Sequence, residues 1–248
     1  MSNRVACEWG PAGIAAVVAE AAPVAVVVFD VLIFSTAVVA ALEGGVWVHP
    51  FAWGRARAAA AYATARGALV AGRRGETEPN AAPASLARLP AGTHVVVPSP
   101  NGATCALAAR SAGAPVVLGA LVNADAVAAY VRAVDGTVLL VPAGERWPDG
   151  SLRPALEDWL GAGAVAAALP WDILSAEARA ARLAFEGCRT PLADVLAATR
   201  SGQELVARGY RGDVEWAGEM DRSLVVPRLG SESDGSAAWF VDAPHPAV

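Results

Sequence analysis

Asp30 stands where an apolar segment gives way to a polar one, and this position indicates metal or proton-transfer chemistry. It directly follows the six apolar residues 24–29, at the predicted end of a buried strand. An ionised carboxylate there costs several kcal/mol to desolvate unless a metal ion, an arginine or backbone N–H groups compensate. Asp30 is therefore interpreted as a Mg²⁺ ligand or a general acid/base, with a helix-capping aspartate as the alternative.

A second group of acids flanks a later loop. Glu145 lies within that loop, and Glu157-Asp158 opens the helix predicted after it. Adjacent residues on a helix diverge by about 100°, so at most one member of the pair can point straight at a site. The alternative role for this pair is electrostatic, because acids in a first turn favour the helix dipole.

Two hydroxyl-rich segments have the composition of anion-binding sites. Residues 99–104 (SPNGAT) offer hydroxyls, an amide and a glycine just before a predicted helix, so the backbone can approach a ligand closely. Residues 35–36 lie near the start of another predicted helix, where free N–H groups attract anions. A plain turn and an ordinary helix cap are the alternatives. The predicted substrate contacts here are Ser35, Thr36, Ser99, Asn101, Gly102 and Thr104.

Residues 72–92 are rich in glycine, proline and charge, and they predict a long surface loop. Within this loop, Arg74 and its neighbour Arg73 could bind a phosphate or sulfonate bidentately, or they could be solvated loop charges. Neither GxxxxGK[ST] nor GxGxxG occurs, which argues against a nucleotide-binding loop. No GxSxG elbow occurs either, and only three histidines are available to a nucleophilic cysteine or serine.

Short β-branched segments alternate with alanine-rich helical ones along the chain. Strands predicted at 24–29, 94–97 and 137–141 each precede a polar loop and a small-residue helix. This alternation predicts an α/β fold, a mostly parallel sheet with helices on both faces in three layers. In such sheets ligands bind beyond the carboxyl ends of the strands, so the three loops should share one edge if their strands are parallel.

Composition limits the classes of partner. The chain has 248 residues, of which 55% are hydrophobic, and a formal net charge of −5, so no basic field favours nucleic acid. Its most apolar stretch, 21–42, is interrupted by polar residues and does not resemble a membrane helix. Three scattered cysteines indicate a reduced, cytoplasmic chain. We predict one domain over residues 1–248, with loose ends at about 1–10 and 230–248.

Several segments together, in order along residues 24–228, resemble the 2-phosphosulfolactate phosphatase (ComB-like) family. Each motif alone is weak, whereas the ordered set is fairly specific. The matching segments are Val28-Phe29-Asp30-Val31-Leu32 with Ser35-Thr36 and Ala41-Leu42-Glu43-Gly44-Gly45, Ser99-Pro100-Asn101-Gly102-Ala103-Thr104, Gly119–Ala126, Ala143-Gly144, Leu156-Glu157-Asp158 with Gly161-Ala162-Gly163, and Asp213 with Val226-Pro227.

This resemblance implies a ComB-like α/β fold, a homodimer and Mg²⁺-dependent hydrolysis of a small anionic phosphate monoester. We therefore expect a phosphatase in which the 99–104 and 35–36 segments bind phosphate and Arg74 neutralises its charge. Asp30 and Asp158 are the expected catalytic residues. The expected Mg²⁺ ligands are Asp30, Glu157 and Asp158.

The chain departs from the family pattern at three places. Ile33 stands where the family usually has an arginine, and Gly72-Arg73-Arg74 replaces the usual Gly-Glu-Arg. Pro79-Asn80-Ala81-Ala82-Pro83 replaces the Gly-Asn-Ser-Pro segment expected near residues 78–85. These departures favour an alternative function, a non-catalytic or repurposed relative that binds a small anionic metabolite.

Overall fold

Strands and helices alternate in the computed structural model, which describes residues 4–188, 191–231 and 238–242. The segments predicted as strands at 24–29, 94–97 and 137–141 correspond to β2, β5 and β7. The described strands are β1 (Val5–Cys7), β2 (Ala25–Phe29), β3 (Trp47–Ala52), β4 (Leu69–Val70), β5 (His94–Ser99), β6 (Val116–Gly119), β7 (Val138–Pro142), β8 (Glu145–Arg146), β9 (Leu152–Arg153), β10 (Pro227–Ser231) and β11 (Ala238–Asp242).

Helices follow most of the strands, and their apolar faces cover the sheet. Two short 3₁₀ helices lie at Leu121–Asn123 and Trp171–Ile173. The described α-helices are α1 (Gly10–Ala21), α2 (Phe34–Glu43), α3 (Ala56–Thr64), α4 (Pro83–Leu86), α5 (Gly102–Ser111), α6 (Ala124–Ala133), α7 (Leu156–Ala167), α8 (Ala176–Cys188), α9 (Leu192–Ala198), α10 (Arg200–Ala207) and α11 (Arg211–Ala217).

Nine strands form one sheet in the order β1-β7-β2-β6-β10-β11-β3-β5-β4. Strands β1, β7, β2 and β6 pair in parallel, and so do β3, β5 and β4. The β10–β11 hairpin joins these two parallel blocks by antiparallel pairing on both sides. The two blocks therefore run in opposite directions, and the remaining strands, β8 and β9, form a separate hairpin.

Strand β2 shows that helices cover the sheet on both faces. All five of its residues are buried, as expected for an uninterrupted β-branched run in a parallel sheet. Val27 and Phe29 pack into the core formed with α6, α7 and α8. Val26 and Val28 point the other way, into the core formed with α1, α2 and α5. The predicted three-layer α/β/α arrangement is confirmed.

Both chain ends carry more structure than the sequence predicts. β1 falls within the stretch expected to be loose and pairs with β7, at one edge of the sheet. β11 lies near the middle of the sheet, between β10 and β3. A three-residue strand is too short to show periodicity, which is why sequence patterns missed β1. Residues 1–3, 232–237 and 243–248 lie outside the described part.

Residues 72–92 are less open than predicted. The short helix α4 interrupts the expected loop, and its residues Pro83 and Leu86 are buried against α2. The loop after β7 also contains the unpredicted β8–β9 hairpin. Across the described ranges, no helix combines the length and apolarity needed to cross a membrane.

Candidate functional site

Asp30 directly follows β2 and lies between the first turns of two helices. Its Oδ1 accepts the N–H of Phe34 at 3.3 Å, and its Oδ2 accepts the N–H of Gly102 at 2.7 Å. Only 5% of the residue is exposed. Burial raises the pKa of Asp30, while the two backbone N–H groups and the Ser99 hydroxyl oppose this shift. The carboxylate thus caps α2 and α5 at once.

The loop after β5 brings the start of α5 directly onto this carboxylate. Ser99 Oγ donates to Asp30 Oδ2 at 3.2 Å and accepts the N–H of Asn101, also at 3.2 Å. A Cβ atom at Gly102 would lie 2.7 Å from Asp30 Oδ2 and 2.5 Å from Phe34 Cδ1. Only glycine allows this approach of the helix to the acid.

The meeting of β2 and β5 depends on curvature of the sheet. Four strands separate them in the sheet order. In a flat sheet at about 4.8 Å per strand, their axes would lie about 24 Å apart. The Gly102 N–H reaches the Asp30 carboxylate over 2.7 Å. Twist and curvature therefore bring the two strand ends together, although their blocks run in opposite directions.

Asp158 joins the two loops that follow β2 and β7. Its Oδ1 accepts the N–H of Val31 at 2.8 Å, and its Oδ2 accepts the N–H of Gly144 at 2.9 Å. The residue is buried, and burial together with the Asp30 and Glu157 charges raises its pKa. Since both oxygens accept backbone N–H groups, Asp158 holds the two loops in register beside Asp30.

Glu145 was noted among the loop acids but was assigned no catalytic, binding or metal role, yet it lines the same cavity as Asp30. Its Oε2 accepts a hydrogen bond from Asn101 Nδ2 at 2.8 Å. Burial, and then the Asp30 charge, raise the pKa of Glu145 to about 7. The sequence could have indicated a role for Glu145, because it lies shortly after β7 and next to the Ala143-Gly144 motif.

A cavity of about 160 Å³ collects these groups. Its polar lining comes from the ends of three strands, and its apolar lining includes the Ile33 side chain, which stands where the family pattern has arginine. It is lined by Asp30, Ile33, Phe34, Ala81, Val97, Pro98, Ser99, Pro100, Asn101 and Glu145.

The hydroxyls of residues 35 and 36, predicted to contact an anion, form hydrogen bonds with the backbone. Ser35 Oγ accepts the Asp30 N–H at 3.0 Å, and Thr36 Oγ1 donates to the Val31 carbonyl at 2.8 Å. Both residues are fully buried and are absent from the cavity lining. Thr104 Oγ1 donates to the Ser99 carbonyl at 3.3 Å. In this structure the three hydroxyls shape the loops, and their contact with an anion stays a prediction.

Arg74 lies outside the 160 Å³ cavity. It forms an ion pair with Asp213 at 2.5 Å, with both side chains 13% exposed. Burial lowers the pKa of Arg74, and the Asp213 charge opposes this. Its predicted role as a phosphate contact remains a prediction, because Asp213 already neutralises the guanidinium.

The acids satisfy only part of the requirement for a metal centre. Among the described residues, no three histidine, cysteine, aspartate or glutamate side chains are grouped so as to hold one ion. Glu157 is nevertheless 2% exposed, and no hydrogen bond or ion pair to its carboxylate is found in the described part of the chain. Mg²⁺ is commonly held by one or two carboxylates together with water and substrate phosphate. One or two of the predicted ligands Asp30, Glu157 and Asp158 would fit that mode, because hard carboxylate oxygens are what Mg²⁺ prefers.

Known proteins similar to this chain point to one family. The family model described as 2-phosphosulpholactate phosphatase matches residues 15–232. A curated protein of Carboxydothermus hydrogenoformans, named probable 2-phosphosulfolactate phosphatase, is 31% identical over 137 residues. That match covers 55% of this chain and 55% of the relative, so it spans about half the length of each.

Proposed function

We propose, from the premise that this chain belongs to the 2-phosphosulpholactate phosphatase family, that it hydrolyses a small phosphate monoester bearing a sulfonate or carboxylate. The observation that carries the proposal is the convergence of Asp30, Ser99, Asn101 and Glu145 on one cavity. This cavity of about 160 Å³ suits a phosphoryl group. The Carboxydothermus relative is named for the same type of substrate.

The chain's polar groups can position a phosphoryl group beside Asp30. We assign phosphate contacts to the Ser99 hydroxyl and the Asn101 amide, both of which reach the cavity. Gly102 keeps the backbone of α5 close enough to Asp30 to fix this wall. Ser35, Thr36 and Thr104 contribute by fixing the two loops through their backbone hydrogen bonds. Preorganised donors of this kind stabilise charge as the phosphoryl group transfers.

Asp30 and Glu145 divide the proton transfers in this proposal. With its pKa near 7, Glu145 can carry a proton near neutral pH and donate it to the leaving alkoxide as the phosphorus–oxygen bond breaks. We assign Asp30, which lines the cavity, to accept the proton of the attacking water, and inorganic phosphate is the second product. Asp158 acts by positioning both loops rather than by touching the reacting atoms.

A divalent cation completes the proposal on electrostatic grounds. Asp30 and Glu145 line the cavity and Glu157 lies close enough to influence the pKa of both, so a phosphate dianion would meet like charges there. Mg²⁺ held by Asp30 with Glu157 or Asp158 would supply positive charge for the phosphate oxygens. Glu157 is the better candidate of these two, since it is buried and no hydrogen bond to its carboxylate is found among the described residues.

We further propose a cytoplasmic homodimer. All three cysteines are free, which suits a reducing compartment. The dimer follows from the family resemblance, and sedimentation equilibrium would test it against the 25.2 kDa mass of one chain.

The alternative, a binding protein without turnover, has one observation in its favour. Ile33 lines the cavity where the family pattern has arginine, so one cationic phosphate contact is missing. Stabilisation by phosphate without hydrolysis of any ester would support this alternative.

Asp30→Asn tests the proposed function. The substitution removes the negative charge and the proton acceptor, so we expect phosphate release from 2-phosphosulfolactate to fall at least about 100-fold. The assay measures inorganic phosphate with and without Mg²⁺. Asp172→Asn is the matched control, because Asp172 is exposed on the 3₁₀ helix at Trp171–Ile173. Unchanged turnover by a folded Asp30→Asn protein would overturn the mechanism.

A further inference from the structure

A second, larger cavity adjoins the proposed active cavity. Its volume is about 470 Å³, and it shares Ala81 and Pro98 with the 160 Å³ cavity. We call it the outer groove. It lies between the loop that follows β4 and the end of α10. Its lining consists of Trp53, Ala71, Gly72, Arg73, Arg74, Glu76, Ala81, Pro98, Leu205, Arg208 and Tyr210.

The outer groove carries an excess of positive charge. Arg74 is neutralised by Asp213, and exposed Arg73 lies 4.0 Å from Glu76. Arg208 is exposed, and no carboxylate pairs with it among the described residues. The Arg208 charge also acts on Arg74, whose pKa it lowers along with burial. Of these two neighbouring guanidinium groups, Arg74 has a carboxylate partner and Arg208 has none among the described residues, so an anion bound beside them would relieve their repulsion.

The walls of the groove are partly aromatic and apolar. Tyr210 lies under the Arg74 guanidinium, with its ring centroid 5.1 Å from Cζ, and its hydroxyl donates to the Arg74 carbonyl at 3.3 Å. Trp53 is 55% exposed, and Leu205 adds an aliphatic surface. The contacts of Tyr210 hold the basic loop against α10 and α11, so the arginines lie on a supported surface.

The two adjoining cavities have opposite electrostatic character. Asp30 and Glu145 line the inner cavity, whereas Arg73, Arg74 and Arg208 line the outer groove. The second acidic group of a phosphate monoester is therefore better placed beside the arginines of the outer groove than beside the inner acids. The inner cavity, about 160 Å³, also leaves little room for more than the phosphoryl end of such a molecule.

We propose that the outer groove binds the second acidic group of the substrate, a carboxylate or sulfonate, and that Arg208 with Arg73 selects for it. This proposal rests on the proposed phosphatase function. The ligand class is a phosphate monoester whose second anion is not esterified. Arg208 directly follows α10 and belongs to none of the segments that resemble the family, so the role in specificity that we assign to it rests on its place in the groove lining.

Arg208→Gln tests the selection by charge. We expect KM for 2-phosphosulfolactate to rise about tenfold, the loss typical of one charge-assisted hydrogen bond at a partly exposed site. KM for phenyl phosphate, which has no second acid, should change less than about twofold. Adding Arg73→Gln should raise KM for 2-phosphosulfolactate further without changing KM for phenyl phosphate. Arg57→Gln is the matched control, because Arg57 is exposed on α3 and lines neither cavity.

A binding experiment separates failure of this proposal from failure of the proposed function. Isothermal titration with 3-sulfolactate, which has no phosphate to lose, should show Kd about tenfold weaker for Arg208→Gln than for Arg57→Gln. That result would support the groove even if no ester were hydrolysed. The proposal for the groove would be overturned if the two variants had equal Kd values or if the wild-type protein did not bind 3-sulfolactate. It would also be overturned if Arg208→Gln raised KM equally for 2-phosphosulfolactate and phenyl phosphate.

Discussion

Asp30 and Glu145 are both buried acids, but different surroundings balance their charge. Three donors reach Asp30, namely the N–H groups of Phe34 and Gly102 and the Ser99 hydroxyl, so much of its desolvation cost is offset. Glu145 has the Asn101 amide as its hydrogen-bond donor and lies near the Asp30 charge. With a pKa raised to about 7, Glu145 can both hold and release a proton near neutral pH, which suits a proton donor.

Glu145→Gln should change the pH dependence of stability. Folding raises the pKa of Glu145 from 4.5 to about 7, so the folded state holds a proton that the unfolded state releases between these values. The resulting stabilisation is complete below pH 4.5 and is lost as pH rises through 7. We expect the wild-type free energy of unfolding, relative to the variant, to fall by on the order of 2 kcal/mol across this window.

Urea unfolding at several pH values measures this difference. Glu20→Gln is the control, because Glu20 is exposed on α1 and should leave the pH dependence unchanged. If the free energy of unfolding of wild type and of Glu145→Gln changed with pH in the same way, folding would not raise the pKa of Glu145.

At the scale of elements, two helix starts share one carboxylate. α2 begins four residues after Asp30, and α5 begins where Gly102 contacts it. Each helix leaves N–H groups of its first turn without helical partners, and Asp30 accepts one from each. The packing of α2 against α5 and the position of the acid therefore depend on each other, so a change in either helix start should displace the site.

Gly102→Ala tests this dependence. The added methyl group would lie 2.5 Å from Phe34 Cδ1 and 2.7 Å from Asp30 Oδ2. Phe34 is buried and packs edge-on against Phe240, so it cannot easily move away. We expect a loss of about 1–3 kcal/mol in stability and at least about tenfold in turnover.

The control for this substitution is Gly187→Ala. Gly187 lies on α8 with nothing within 4 Å of its added Cβ, so alanine should be neutral or stabilise by up to about 1 kcal/mol. Chemical denaturation and phosphate release measure both variants. Equal behaviour of the two variants would contradict the close packing of α5 on Asp30.

At the scale of the whole molecule, the sheet interleaves segments from distant parts of the chain. The early strands β1 and β2 flank β7, and the C-terminal hairpin β10–β11 joins the two parallel blocks. No sequence boundary therefore divides the sheet into independent halves. We expect the described core to unfold as one cooperative unit, and ligands at the Asp30 cavity to stabilise all of it.

Mg²⁺ together with inorganic phosphate should raise Tm if both bind the cavity. At 100 times Kd, a ligand that binds only the folded state adds about 2.7 kcal/mol, or about 5–10 °C for a chain of this size. Differential scanning calorimetry measures the shift and shows whether there is one transition. Asp30→Asn should lose the shift and Asp172→Asn should retain it. A shift of equal size in both variants would place the ligands elsewhere.

The sequence alone was sufficient for much of the fold and for part of the site. The strands ending at Asp30 and Ser99 were predicted because apolar runs followed by polar loops are local patterns. The glycine at position 102 was likewise predicted as a place of close backbone approach. Local periodicity and loop composition indicate which side chains lie at the ends of strands and helices. In the structure Asp30, Ser99 and Gly102 lie together, as hydrogen bonds from Ser99 and Gly102 to Asp30 show.

Only the tertiary structure decided how these ends meet and what surrounds them. The opposed directions of the two parallel blocks, the pairing of Arg74 with Asp213 and the approach of Glu145 to Asn101 all join residues distant in sequence. No periodicity encodes such contacts, because they depend on the curvature of the sheet and on which helices cover it. The sequence determined which residues could do chemistry at the strand ends, and burial in the folded chain decided which of them share a cavity.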